Sequence, residues 1–349
     1  MIVARHYFNP SRWCTSGFAG VDLFFVLSGF LISGLLFGEY RRFGSVDLKR
    51  FWIRRGFKIY PPFYAMVIFA IVDYAAMGQL TPRIFSDVFF LQDSIKPVYE
   101  PGWSLGVEEK FYFALPLLLF LMMRLGKKDR DPFRFVPYVF LALFAGCLAM
   151  RVHSLIHFTT WEAVHRPAHL RADSLFVGVT LAYFKYFHAE DFQRIGRRPL
   201  WIPGVLLLVP LAFWELENPW MDTFGLGALS IGFGLILLWA VNRTFPECAP
   251  LRVMAWLGRY SYSIYLWQFT LRGFLAYDVT GTLALLPVYL TTSIGVGWLA
   301  AYLIETPFLK LRDRFYPARS AALALGAGPS VSACPESSPR TALASELVV

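Results

Sequence analysis

The amino-acid sequence predicts an all-α, polytopic bundle of about ten membrane-crossing helices, the first of them incomplete. Three observations carry this. The 349 residues are 56% hydrophobic, 18% aromatic and only 16% charged, with a mean hydropathy of +0.49, too apolar for an ordinary soluble domain. Apolar runs of spanning length recur along the chain. Between them, cations collect in alternate loops.

The runs lie at 18–38, 59–78, 111–124, 135–150, 172–186, 200–214, 224–241, 261–277 and 283–304. Ahead of them, residues 1–8 would cover about 12 Å as a helix, less than half a bilayer, so the first span is expected to lack its beginning. The membrane domain is expected over 1–317. The tail at 318–349, rich in Ala, Ser, Gly and Pro, is expected to be a disordered cytoplasmic segment.

One set of loops carries Arg41, Arg42, Lys49, Arg50, Arg54, Arg55 and Lys58, then Arg124, Lys127, Lys128, Arg130 and Arg134, then Lys185, Arg194, Arg197 and Arg198, then Arg243, Arg252 and Arg259. The opposite loops hold only Arg12, Arg83, Lys96, Arg151 and Arg166. The first set is therefore expected on the cytoplasmic side of the inner (plasma) membrane, with both termini there. The net charge of +9 resides in these short loops, so nucleic acid is not an expected partner. Cys14, Cys147, Cys248 and Cys334 have neither paired nor metal-type spacing, and no disulfide framework is expected.

Against this apolar background the ionisable residues stand out. Asp22 is alone in the run 18–38, and at 100° per residue it shares a face with Val26, Gly29 and Ser33, a face suited to close helix contact. His6, Asp22, Glu108, Glu109, Arg171 and Asp173 all arrive at the outer ends of their spans. Singly, each is also explained as an interfacial charge or a helix-start acid; their coincidence at one depth makes a site hypothesis. An imidazole at His6 can take a proton from a hydroxyl near neutral pH. Ser104 reads as an N-cap that would put Glu108 and Glu109 in a first helical turn, with Glu108 on the face of Tyr112. Arg54, Arg55 and Lys58 stand at helical spacing on the inner side, as positive-inside or lipid-headgroup residues do. His165 and His169 lie four apart, but no third ligand is evident, and no metal site is expected.

The run Gly20-Val-Asp-Leu-Phe-Phe-Val-Leu-Ser-Gly-Phe-Leu-Ile32, following a histidine, resembles the first signature of the integral membrane acyltransferase 3 family, O-acyltransferases of bacterial glycans and other extracytoplasmic acceptors. Pro101-Gly-Trp-Ser-Leu-Gly-Val-Glu-Glu-Lys-Phe-Tyr-Phe-Ala-Leu-Pro116 resembles the family's Ser-Leu-x-x-Glu-Glu-x-Phe-Tyr-x-x-x-Pro element. Arg55-Gly-Phe-Lys58 stands where the family carries Arg-x-x-Arg, and lysine there lacks the bidentate fork. Arg171-Ala-Asp-Ser-Leu-Phe-Val-Gly178 resembles Arg-x-Asp-x-Leu-x-x-Gly. Ser261-Tyr-Ser-Ile-Tyr-Leu-Trp-Gln268 resembles Ser-Tyr-x-x-Tyr-Leu-x-His, with Gln268 at the histidine's place. Ile304-Glu-Thr-Pro-Phe308 resembles the closing Glu-x-Pro-Phe, read as a helix terminus. The family carries a basic residue upstream of its histidine, which here would precede Met1.

The resemblance implies a membrane O-acyltransferase that moves an acyl group, acetyl by expectation, from cytoplasmic acyl-CoA to a hydroxyl of an extracytoplasmic or lipid-linked glycan of the cell envelope, such as a polysaccharide or lipopolysaccharide. His6, Glu108 and Glu109 would be catalytic; Arg54, Arg55 and Lys58 would meet the donor; Arg171, Asp22 and Gln268 would serve the acceptor or an oxyanion. Acyl-CoA is a co-substrate, no tightly bound cofactor is expected, and membrane lipids surround the chain. Acylation of a lipid or small metabolite, or glycan transport without acyl transfer, are the alternatives. Charged residues at both ends of a bundle also describe a pathway, but repeated pairs of broken helices are not visible in the sequence.

Overall fold

The computed structural model describes residues 16–319 apart from 80, 100–101, 127–130, 158–161, 216–217 and 276–285. Among the described residues all regular structure is helical. In order, the helices are α1 (Ala19–Phe43), α2 (Leu48–Ala76), α3 (Ile84–Val88), α4 (Trp103–Leu125), α5 (Val136–His157), α6 (Glu162–His165), α7 (Ala172–Phe187), α8 (Ala189–Gly196), α9 (Trp201–Leu206), α10 (Pro210–Phe213), α11 (Leu226–Val241), α12 (Ala249–Leu275), α13 (Leu286–Ala300) and α14 (Thr306–Phe315).

Local chemistry sets several boundaries. Gly44 ends α1 at φ +66°, a left-handed conformation that glycine adopts without steric penalty, and its N–H closes on the Tyr40 carbonyl at 2.7 Å. Asp47 caps α2 by accepting the Arg50 N–H at 3.0 Å. The cap makes the basic run helical, so α2 begins well before the apolar stretch expected from residue 59. The expected span at 200–214 is instead broken into α9 and α10, with proline opening α10, and the α9–α10 segment bends 72° from α8. Two π-turns, Met221–Gly225 and Ala301–Glu305, precede α11 and α14.

By length and hydropathy, α1, α2, α5, the segment Met221–Val241 and the segment Leu286–Phe315 are long and apolar enough to cross a membrane, and the bent α8–α10 pair is a further candidate. Three helices expected to span, α4, α7 and α12, fall outside that criterion. Only 16 residues long, α7 is short, whereas α4 carries Glu108, Glu109 and Lys110 close together.

The burial pattern suits a lipid surround. Ile68, Val72, Leu121, Leu125 and Leu141 are exposed, while charged residues lie inside, among them Asp22, Glu108, Arg151, Arg171 and Asp173. The principal core joins Phe25, Ile32 and Leu36 of α1 to Tyr112 and Leu115 of α4 and Val179 of α7. The most extensive helix contact is α1 against α7. Glycine permits it: a Cβ at Gly29 would strike the Leu175 carbonyl, and one at Gly178 would strike the Val26 carbonyl and the Phe30 nitrogen. The face of α1 that holds Asp22, Gly29 and Ser33 is thus the one laid against α7.

Candidate active site

Ser28 of α1, Arg55 of α2 and Glu108 of α4 converge on one hydroxyl, that of Tyr112. It lies 3.0 Å from Glu108 Oε2, 2.7 Å from Ser28 Oγ and 2.6 Å from Arg55 Nη2. A phenol has one proton to give. That proton goes to Glu108 Oε2, and a guanidinium can only donate, so Tyr112 accepts from Arg55 and from Ser28. The Arg55 guanidinium also lies 4.3 Å from the centre of the Tyr112 ring. The Trp52 indole N–H donates to the Tyr112 carbonyl at 3.0 Å and ties α2 to α4 at this level.

Glu109 points to a neighbouring partner, accepting the Tyr60 hydroxyl at 3.2 Å. Two adjacent carboxylates are therefore buried around one guanidinium, and both are held by tyrosines. Among the described residues Glu108 Oε1 has no hydrogen-bond partner although it is buried. A vacant acceptor beside a cation can orient the N–H of a base or receive a proton. His6 lies outside the described residues.

A second polar layer lies toward the N-terminal ends of α1 and α7. Arg171 pairs with Asp22 at 2.6 Å, both fully buried, and the Ser174 hydroxyl lies 3.4 Å from the same Asp22 oxygen and 2.6 Å from Ser230. Arg151 donates twice to the Leu170 carbonyl, at 2.9 and 2.7 Å, and to Asp173 at 2.5 Å. Its fork fixes the turn from which Arg171 projects. The two arginines and two aspartates balance in charge, which is what permits four ionised groups in an apolar interior. Arg171 Nε and Nη1 and Asp22 Oδ2 retain unused hydrogen-bonding capacity among the described residues.

The loop between α2 and α4 folds over the start of α4. A Cβ at Gly106 would meet Asp93, Gln92 and the Phe90 carbonyl at 3.1 Å. Asp93 is held there by Lys110 at 2.6 Å and by the Ala168 N–H at 3.2 Å. Asp87 in the same loop accepts the Val98 N–H at 2.9 Å, and burial pushes its carboxyl up to about 6.

Several expected residues sit differently from their sequence reading. The N-cap position of α4 is Gly102, without a side-chain cap; Ser104 lies inside the helix and bonds the Tyr265 hydroxyl at 2.9 Å. Arg55 is joined to Glu108 through Tyr112, so one member of the basic cluster reaches the acidic pair. Lys58 is paired with Glu305, which also accepts the Ser263 hydroxyl at 2.6 Å, so its charge is balanced within the chain. Arg54 pairs with Asp313 at 3.1 Å. Gln268 is fully buried; its backbone carbonyl accepts the Tyr289 hydroxyl at 3.2 Å, while its side-chain Oε1 and Nε2 have no partner among the described residues. It shares a face of α12 with Ile264, which the α13 residue Gly297 meets closely, so Gln268 serves the α12–α13 seam.

Sequence reading missed four contributors. Arg151 falls among the loop cations in the charge pattern, although a lone arginine inside the apolar stretch of α5 is a usable signal. Glu305, a helix terminus by its motif, ends a π-turn, the kind of irregularity found at functional sites. Ser28 and Tyr60 carried no signal of their own.

A family model described as an acyltransferase domain, that of the acyltransferase 3 family, matches residues 2–302. The chain is 29% identical over 341 residues to SACOL0978 of Staphylococcus aureus (strain COL), whose name marks it provisionally as an O-acetyltransferase. It is 26% identical over 340 residues to the O-acetyltransferase OatA of Staphylococcus aureus (strain NCTC 8325 / PS 47). Each match covers 87% of this chain and 54% of the relative, so the chain spans about half the length of the curated relatives it matches. No solved structure matches. With the family's motifs in sequence order and its domain matched over nearly the whole chain, this protein belongs to the acyltransferase 3 family.

Proposed function

We propose that the chain is a membrane O-acyltransferase that moves an acetyl group from cytoplasmic acetyl-coenzyme A to a hydroxyl of an extracytoplasmic or lipid-linked glycan, in a bundle of about ten spans. In this reading the acceptor oxygen attacks the thioester carbonyl carbon as His6 takes its proton. The carbon–sulfur bond then breaks, and the coenzyme thiolate leaves and is protonated. Glu108 orients the imidazole through its vacant Oε1, and Arg55 steadies Glu108 through Tyr112. Glu109 supports the same cluster through Tyr60, and Arg171 with Asp22 serves the acceptor side.

The observation that carries the proposal is the Arg55–Tyr112–Glu108 chain, because it joins a cation from the basic inner side to a carboxylate with a free acceptor. For transport, paired broken helices would be expected. Among the described residues a single bent pair, α8 with α9–α10, is present.

The test uses membranes containing the chain, labelled acetyl-coenzyme A and the glycan fraction. A positioned base contributes about 10²- to 10⁴-fold, so His6→Ala should lose that much transfer at equal membrane abundance. Glu108→Gln should lose nearly as much, and the double variant scarcely more, since base and orienting carboxylate act as a unit. Full transfer by His6→Ala would remove the mechanism. Transfer to lipid or to a small metabolite, with the glycan unlabelled, would replace the acceptor.

A further inference from the structure

We propose that residues 313–319 form a latch over an anion site at the start of α2, and that the phosphate groups of the acyl donor bind by displacing it. The proposal rests on the donor reading above and adds to it a site, Arg50 with Arg54, and a segment that competes for it.

Arg50 and Arg54 are one turn apart on α2, so their guanidinium groups leave the helix on the same side. One short stretch of chain satisfies both. Arg50 Nε donates to the Pro317 carbonyl at 2.9 Å, and its Nη2 reaches the same oxygen. Arg54 donates to the Tyr316 carbonyl and pairs with Asp313 at 3.1 Å. The Tyr316 ring lies 6.3 Å from that of Phe57. Two neighbouring carbonyl oxygens and a carboxylate, the last also bonded by Arg312 at 2.9 and 3.0 Å, occupy the positions that phosphoryl oxygens take at an arginine pair.

The far end of the stretch is pinned to α1 and its capping turn. Arg319 donates to Glu39 at 2.9 Å and to the Ser45 carbonyl at 3.1 Å, and lies 4.5 Å from the centre of the Phe43 ring. The segment therefore runs from α14 across the start of α2 to the end of α1.

Two features make these contacts exchangeable. The Arg54–Asp313 and Arg319–Glu39 pairs are partly exposed, with the Asp313 side chain 47% accessible. Exposed ion pairs are individually weak, and carbonyl oxygens carry only partial charge. A ligand with several phosphate charges offers more to the same two guanidinium groups. Lys58 differs, because its pairing with Glu305 is buried, with only 4% of the Glu305 side chain accessible. Of the basic cluster, then, Arg50 and Arg54 are exchangeable, Lys58 is locked into the fold, and Arg55 belongs to the Tyr112 network.

The experiment uses the detergent-solubilised full chain and two probes, coenzyme A and adenosine 3′,5′-bisphosphate, titrated by calorimetry. A binding-competent state that is only fractionally populated weakens apparent affinity by that fraction, so freeing the latch should tighten binding by about three- to tenfold. Arg319→Ala is expected to do this for both probes. Asp313→Asn is the second variant, and Arg54→Ala should weaken binding. In parallel, trypsin cleavage after Arg319, read by mass spectrometry, should accelerate when coenzyme A is added to the unmutated chain. Unchanged or weaker binding by both Arg319→Ala and Asp313→Asn, with cleavage after Arg319 insensitive to coenzyme A, would overturn the latch while leaving the donor reading intact. No binding of either probe by any form would overturn the donor reading and the latch with it.

Discussion

Tyr112 shows what a single residue contributes. Its phenol links a cation from α2, a hydroxyl from α1 and a carboxylate of its own helix, so its removal acts on Glu108 rather than on any one helix contact. Tyr112→Phe keeps the ring, and with it the contact to Arg55, but leaves Glu108 Oε2 without its donor. An unsatisfied buried acceptor costs about 1–3 kcal/mol, so stability should fall modestly. The transfer step should fall more, by about tenfold or greater in kcat, with little change in donor KM, because a misoriented carboxylate affects the transition state and not donor binding. Unchanged kcat would reduce the hydroxyl to packing. Half of this arrangement was legible beforehand: Glu108 and Tyr112 are four apart on one helix, and that spacing alone puts them on one face. Arg55 and Ser28 were not, since their approach depends on the register of three packed helices, which no local pattern records.

Among the helices, α1 and α7 are joined most closely, and the sequence showed why. Gly29 and Ser33 continue a small-residue stripe from Asp22 along α1, and the buried Asp22–Arg171 pair closes that seam at the N-terminal ends of both helices. Gly178→Ala would drive a methyl into backbone atoms of α1 that cannot retreat. Destabilisation at or above the upper end of the about 1–3 kcal/mol range for overpacking is expected, read as a lower Tm in detergent and reduced membrane abundance. Gly146→Ala on α5, where a Cβ meets nothing, is the control and should leave both unchanged. The loop over α4 is less legible, because no periodic pattern announces it; Ser104 read as a cap, yet the chain folds so that Tyr265 claims its hydroxyl. This loop should respond to pH. The Asp87 carboxyl is raised from 3.8 to about 6 in the folded loop, so the stability it contributes is complete below about 3.8 and is lost as pH rises through about 6. Hydrogen-exchange protection at the Val98 amide should therefore decline between pH 4 and 7, and Asp87→Asn should flatten that decline. An unaltered pH profile in the variant would assign the effect elsewhere.

For the molecule as a whole, the sequence conveys the fold class better than the number of spans. Composition required an apolar exterior, and the exposed Ile68, Val72 and Leu125 supply it. The expected count of ten is not recovered by length and hydropathy, because α4, α7 and α12 fall outside such a test. Glu108, Glu109 and Lys110 remove α4, and α7 has only 16 residues. Orientation rests on a different physical basis, the asymmetry of cations between loops, and so can be tested separately from the count. Ser45 lies in the turn after α1 among the basic residues, and Ser94 lies in the loop over α4; both are exposed. If α2 crosses the membrane from the basic side, a membrane-impermeant maleimide applied to intact cells should modify Ser94→Cys and spare Ser45→Cys until the membrane is permeabilised. The reverse pattern would place Arg50 and Arg54 outside, away from any cytoplasmic donor. Labelling of both from outside would mean that α2 does not cross, and the Arg55–Tyr112–Glu108 chain would then join groups on one side of the membrane rather than across its depth.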